Sequence, residues 1–326
     1  MLPFLKKQFL PIGLVVAALL GMAYPDAGQA AARWPTQYVA IFAIFLTSGL
    51  MLRTDEIRVA LSAWSGSLWG SFSILLLTPL IGATIAFQLP LERPYQLGLA
   101  LFCCMPTTLS SGIALTVQAR GNTALALLLT VATNFAGIFT VPFVLAQLLG
   151  HFGQVELSAV DLLSNLCLTI LVPLGLGKWL RRWAAAWADR HRPGLTMFSS
   201  FALITVPWMK FSESAQTLAA AAGASLLILI LSGLAIHLLY LLLNDAACRL
   251  LRLRLAERKA TVLLTSQKTL PVAMTVLAFL PDSVASPETR GLLAIPCITF
   301  HFGQIFFDAF LATRWGNRTE DPVAAV

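Results

Sequence analysis

Two stretches decide how this chain folds: CCMPTTLSSGIALTVQARGN at 103–122 and LLTSQKTLPVAMTVLAFLP at 263–281. Each is apolar overall, yet each carries a proline and a cluster of small hydroxyl residues. Thr108-Leu109 aligns with Thr269-Leu270, and Gly112-Ile113-Ala114 with Ala273-Met274-Thr275. Proline removes a backbone donor and clashes with the preceding turn. It also pushes the residue before it out of helical geometry. At membrane depth the backbone groups so freed must be satisfied by protein, ions or water. Thr107, Thr108, Ser110 and Ser111 surround the break at Pro106, and Ser266, Gln267, Lys268 and Thr269 the break near Pro271. A half-helix that ends in such a break presents carbonyls to a cation, and one that begins there presents N–H groups to an anion. Matched interruptions in the two halves of a chain point to a transporter's binding site.

Outward from these stretches the chain is membrane-like. It is 58% hydrophobic and 11% charged, with mean hydropathy +0.80, against about 25% charge in soluble domains. A spanning helix needs about 20 apolar residues. Ten stretches qualify, roughly 8–24, 36–52, 63–88, 94–118, 121–148, 158–180, 194–210, 218–244, 257–280 and 289–313. The first, second and seventh are shorter or less apolar than the rest. The expected fold is all-α and polytopic. Ten helices form two inverted five-helix repeats, 1–150 and 151–318, within one domain covering 1–326, with a cytoplasmic tail at 319–326. Five spans per half invert the second half, so the two interrupted spans run antiparallel and cross.

The net charge of +7 does not indicate nucleic acid, because of where the charges fall. With a cytoplasmic N-terminus, one side receives Lys6, Lys7, Arg53, Arg58, Arg120, the basic runs at 178–192 and 249–259, Arg314 and Arg318. The other side receives only Arg33, Arg93, Lys210 and Arg290. Basic residues favour the cytoplasmic side, so both termini are expected there, in a bacterial inner membrane. The first apolar run, followed by AGQAA at 27–31, also has the form of a secretory signal; here it is read as the first span. The five cysteines lack disulfide or metal spacing. Trp64, Trp69, Trp179, Trp183 and Trp187 fit an interfacial belt, and the basic run at 178–192 fits contact with anionic lipid.

At this point the chain resembles the bile acid:sodium symporter superfamily, in its SBF-like branch. The likeness rests on ARGN at 119–122 after the first break and on SQKTLP at 266–271. It implies a panel of spans 1, 2, 6 and 7, and a core of spans 3, 4, 5, 8, 9 and 10 that moves against the panel. It also implies sodium ligands on spans four, five and nine: Ser110, Ser111 and Thr130, with Gln267 a match on span nine. Three positions depart from the pattern. Gly112 replaces an asparagine, Ala126 a hydroxyl residue, and span nine lacks the acidic residue shared by the ions. Protons therefore stand beside sodium as the expected driving ion.

Further candidates come from the residues themselves. Thr130, Thr133 and Asn134 have helical spacing that puts them on one face, facing the first break; Thr133 alone also suits helix packing. Thr133 is better read as packing, and Thr130 and Asn134, with Thr108 and Ser266, extend the ion-site set. Lys268 lies deep in a span, where a charged residue is functional by default. It either replaces a bound cation and couples transport to proton binding and release, or pairs with an anionic substrate; the alternative is a permanently charged lysine braced by hydroxyls and carbonyls. Thr107, Thr269, His301 and Gln304 are the expected substrate-side groups. Small panel residues Thr47, Ser48, Ser199 and Ser200 would line the rest of the pocket. Pro79, Pro142, Pro173, Pro207 and Pro296 are read as kinks, His237 as packing, and Asp308 as a partner for Arg314. No nucleophile elbow, phosphate loop or zinc-protease motif is present. The expected function is a secondary transporter for a small organic anion, monomeric or homo-oligomeric, with no cofactor beyond sodium. A regulator or scaffold with a degenerate ion site is the alternative.

Overall fold

A computed structural model describes residues 9–52, 64–109, 111–153, 157–216, 223–282 and 284–317. Ser110, the 319–326 tail and the basic residues Lys6, Lys7, Arg53, Arg58 and Arg318 fall outside these. Among the described residues every regular element is a helix. In chain order they are α1 (Phe9–Ala23), α2 (Pro25–Ala32), α3 (Thr36–Met51), α4 (Trp64–Gln88), α5 (Arg93–Cys103), α6 (Ser111–Gln118), α7 (Thr123–Leu148), α8 (Ala159–Arg190), α9 (Arg192–Glu213), α10 (Gly223–Leu250), α11 (Leu255–Ser266), α12 (Leu270–Ala278) and α13 (Pro287–Asn317).

Five of these helices are long and apolar enough to cross a membrane, or six when the bent pair α1–α2 is counted. The protein is thus a polytopic membrane protein. The shorter helices have visible causes. Helix α3 is only 16 residues long. Pro25 opens α2 and turns the chain by 101° after α1, a bend the apolar pattern did not announce. The two interrupted stretches are each divided in two, α5 from α6 and α11 from α12.

The divisions differ from expectation in one respect. Pro106 lies inside the gap after α5, as its missing donor requires. Pro271 does not break its helix. It sits in the first turn of α12, where the absent N–H would be unpaired anyway. The break lies upstream, at 267–269.

Packing sorts the helices into two groups. Helices α1, α2, α3, α8 and α9 pack on one another, while α4–α7 and α10–α13 form the other group. The first group is tightly joined: a Cβ on Gly49 of α3 would strike the Leu174 carbonyl of α8, and one on Gly177 the Leu46 carbonyl. Backbones meet where only glycine fits. Helices α3 and α9 touch α12, and α9 also meets α13, so the crossover lies along the seam between the groups.

The ARGN turn after α6 also has a local explanation. Arg120 takes a left-handed conformation, φ 55°. Asn122 caps α7 by accepting from the Leu125 N–H. Its own N–H donates to the Ala256 carbonyl at 2.8 Å. ARGN is therefore a turn-and-cap device that ties the end of the first broken stretch to the start of the second.

Candidate functional site: a crossover beside a cavity

The two gaps cross and bond directly. The Thr269 N–H donates to the Pro106 carbonyl at 2.9 Å. Thr107 Oγ1 donates to the Leu264 carbonyl at 2.5 Å, and Thr108 Oγ1 to Gln267 Oε1 at 2.7 Å. Thr108 Oγ1 in turn accepts the Gly112 N–H at 3.0 Å. Gly112 has no room for a side chain: a Cβ there would stand 2.8 Å from Thr108 Oγ1 and 2.9 Å from Leu264 Cδ1. The departure to glycine at this position is thus a packing requirement of the crossover.

A cavity of about 350 Å³ opens on one side. Among its walls are Thr108, Ser111, Thr130, Asn134, Thr269 and His301 from the crossover side, and Ile44, Phe45, Ser48, Ser199, Ser200 and Leu203 from the other group. The lining is mostly apolar, as organic ligand sites are. Exposed Arg192 also lines it.

Several buried polar atoms on this wall have no hydrogen-bond partner among the described residues: Thr130 Oγ1, Asn134 Oδ1, Thr269 Oγ1 and His301 Nε2. Native structures leave few such groups. Asn134 is firmly oriented, because its Nδ2 donates to the Thr107 and Thr130 carbonyls at 2.9 and 2.8 Å. Its Oδ1 is thereby presented as an acceptor. These oxygens suit a hard monovalent cation.

His301 is oriented too. Gln304 Oε1 accepts the Lys268 N–H at 2.9 Å, and Gln304 Nε2 donates to the Lys268 carbonyl at 2.7 Å. That fixes the amide, so Nε2 must also be the donor to His301 Nδ1 at 3.0 Å. A neutral His301 then carries its hydrogen on the partnerless Nε2, giving the cavity one directed donor.

Not every expected residue faces this cavity. Thr107, Ser266, Gln267 and Gln304 do not line it; they hold the crossover together. Ser266 Oγ bonds back to the Val262 carbonyl. Thr133 Oγ1 bonds the Leu129 carbonyl, and Thr47 Oγ1 the Ala43 and Ile44 carbonyls, each within its own helix. Lys268 is fully buried and is absent from the cavity wall, so its ammonium does not face that cavity. Trp69, placed in the belt from sequence, instead donates Nε1 to Asn244 Oδ1 at 3.1 Å. Trp64, Trp179, Trp183 and Trp187 are exposed.

Three further residues were misread from sequence. Asp308 does not pair with Arg314. It is fully buried, accepting from Gln267 Nε2 at 2.6 Å through Oδ2 and meeting His237 Nε2 at 2.8 Å through Oδ1. His237 is therefore more than packing; its Nδ1 lies 3.2 Å from the Ser266 carbonyl. A carbonyl only accepts, so Nδ1 carries hydrogen, and one further proton is shared between Nε2 and Oδ1. The pair is net neutral, as burial of charge demands. A carboxylate is thus present at the second break after all, supplied by α13. Pro79 is likewise more than a kink, because its missing N–H leaves a carbonyl of α4 without a helical donor.

Crossed, interrupted helices beside a cavity with oriented, partnerless polar atoms define a membrane protein of carrier type. The chain belongs to the SBF-like CPA transporter family, whose model matches residues 8–317, and so to the bile acid:sodium symporter superfamily. It is similar to a probable chloroplastic sodium/metabolite cotransporter, BASS4, of Arabidopsis thaliana, 37% identical with 98% of this chain and 75% of the relative covered. Sodium/bile acid cotransporter 7-B of Xenopus laevis is 26% identical, covering 94% and 91%. The putative symporter YfeH of Escherichia coli is 26% identical, covering 94% and 92%.

Proposed function

We propose that this protein is a sodium-coupled symporter for a small organic anion, working by alternating access in a bacterial inner membrane with both termini cytoplasmic. The observation that carries the reading is the set of partnerless oxygens, Thr130 Oγ1, Asn134 Oδ1 and Thr269 Oγ1, gathered at the crossover on one cavity wall. Ser111 lies on the same wall, and Ser110 is its neighbour in sequence. The cation binds there. The anion lies in the adjoining cavity, drawn by Arg192 and the His301 Nε2 hydrogen, with its apolar part against Phe45 and Leu203. The relatives' names, sodium/metabolite and sodium/bile acid cotransporter, support the same coupling.

In this reading the chain has ten spans in two inverted repeats, with α5–α6 and α11–α12 as the fourth and ninth. The crossover contacts support it. Shifting by the alignment of Thr108 with Thr269 exchanges Pro106 with Gln267. The pair Pro106–Thr269 thereby becomes the pair Gln267–Thr108, and both pairs are in contact. The expected basic ends also lie together: Asn122 bonds Ala256, and Lys259 Nζ meets the Trp315 carbonyl at 3.3 Å. The group of α1, α2, α3, α8 and α9 is the panel, and the other group the moving core.

The test is uptake of labelled organic anions into proteoliposomes under an inward sodium gradient. Accumulation should collapse with a sodium ionophore. Uptake that follows a proton gradient in sodium-free buffer would transfer the coupling to protons. Absence of counterflow for every anion tried would favour the regulator.

A further inference from the structure

Lys268 leaves the crossover and ends in a pocket of helix α4. Its Nζ donates to Thr78 Oγ1 at 2.9 Å and to the Ile74 carbonyl at 3.2 Å. The Tyr240 ring lies 5.9 Å away, within the range of a cation–π contact. Helix α4 is locally opened to receive this charge. Between Ser73 and Leu77 it widens into a π turn, and the Thr78 N–H donates to the Ser73 carbonyl, five residues back. In that register the Ile74 carbonyl would be served by residue 79, which is proline and has no N–H. The carbonyl is left for an outside donor, which membrane depth makes obligatory. The hydroxyl of Thr78 is already turned: its hydrogen goes to the Ser73 carbonyl at 2.8 Å, so a lone pair faces Nζ. Tyr240 is fixed by donating its hydroxyl to the Thr78 carbonyl at 2.5 Å.

The groups that accept from Nζ are thus oxygen lone pairs, beside an aromatic face, with the Cys103 and Cys104 thiols nearby. Among the described residues no carboxylate is hydrogen-bonded to it. An anion receptor would look different. This is the environment of a bound monovalent cation.

We propose that the π turn of α4, with Thr78, the Ile74 carbonyl and the face of Tyr240, is a monovalent-cation site that the chain fills with its own ammonium. Lys268 is a resident cation. It pins the second break to α4 and keeps one positive charge beside the crossover through the whole cycle. Small alkylammonium ions and alkali cations are the ligand class the site would accept if the side chain were shortened. The inference does not rest on sodium binding at the cavity, because the two sites use different residues.

The experiment compares wild-type protein, Lys268→Ala and Lys268→Met, each purified throughout in methylammonium, sodium or choline chloride at one ionic strength. The Ala variant should gain a saturable rise in its unfolding midpoint with methylammonium or sodium over choline, which is too large for the cage. Ligand binding to the folded state produces such a rise by mass action. Wild-type and Met protein, whose cage is occupied by a side chain, should show no methylammonium effect. A methylammonium rise equal in all three proteins, or absent from the Ala variant, would overturn the proposal; a sodium rise common to all three belongs to the cavity site. Should the Ala variant fail to fold, a cycle of Thr78→Ala and Lys268→Met decides. The double variant should lose less than the two single losses combined, and strict additivity refutes the shared site. Loss of sodium-driven uptake in wild type would instead count against the symporter reading alone.

Discussion

The two breaks use similar sequence to opposite ends. Around the first, the polar atoms are presented outward: Thr130 Oγ1 and Asn134 Oδ1 stand without partners against the cavity. Around the second, nearly everything is claimed from within. Gln304 clasps both backbone groups of Lys268, Asp308 takes Gln267, His237 takes the Ser266 carbonyl, and Lys268 reaches α4. In the proposed reading one break receives a ligand and the other holds the receiver still. Thr269 Oγ1 is the exception, the one atom of the second break left facing the first. A preorganised site needs such a supporting shell.

Substitutions can break this contrast. The largest expected effect is at Asp308→Ala, which strips the acceptor from two buried donors at once. Removing one partner of a buried pair costs about 3–5 kcal/mol, so the variant should unfold at far lower temperature, and His237→Phe should recover part of the loss by removing one stranded donor. Next comes Gly112→Ala, which overpacks Thr108 and Leu264 at a cost of about 1–3 kcal/mol. Gly303→Ala meets nothing within 4 Å and should be neutral or stabilising by up to about 1 kcal/mol; chemical denaturation of the two side by side separates local crowding from a general intolerance of the core. For Thr130→Val the contrast predicts a functional loss with little structural one. Its oxygen has no partner among the described residues, so the unfolding midpoint should hardly move, while half-saturation for sodium should rise about tenfold, the loss of one charge-assisted contact. An unaltered sodium dependence would remove Thr130 from the site. The smallest effect belongs to Thr133→Val. It loses only a bond to its own helix, about 0.5–1.5 kcal/mol, and transport should be unchanged.

Much of the crossover was legible because its causes are local. Proline and hydroxyl residues within an apolar run announce a break, and the match of Thr108 with Thr269 paired the two breaks. The support of the second break was not legible, because its partners are distant: Gln267 and Asp308 are 41 positions apart, and His237 and Asp308 71. A signal was nevertheless present. Both are ionisable residues within apolar stretches, which by their cost should find partners. Asp308 was instead judged by its nearness to a helix end. Lys268 was recognised as buried, but only the π turn and Pro79 reveal where its charge rests. The bend at Pro25 was missed because hydropathy is blind to direction.

The glycine contact between α3 and α8 has a consequence for how such a protein can diversify. Ser48 and Phe45 sit on a helix pair whose backbones are locked at Gly49 and Gly177. The crossover oxygens come from α6, α7 and the gap before α12, none of them in that pair. In the proposed reading, the wall that meets the cargo can therefore change residue by residue without disturbing the atoms that capture the ion.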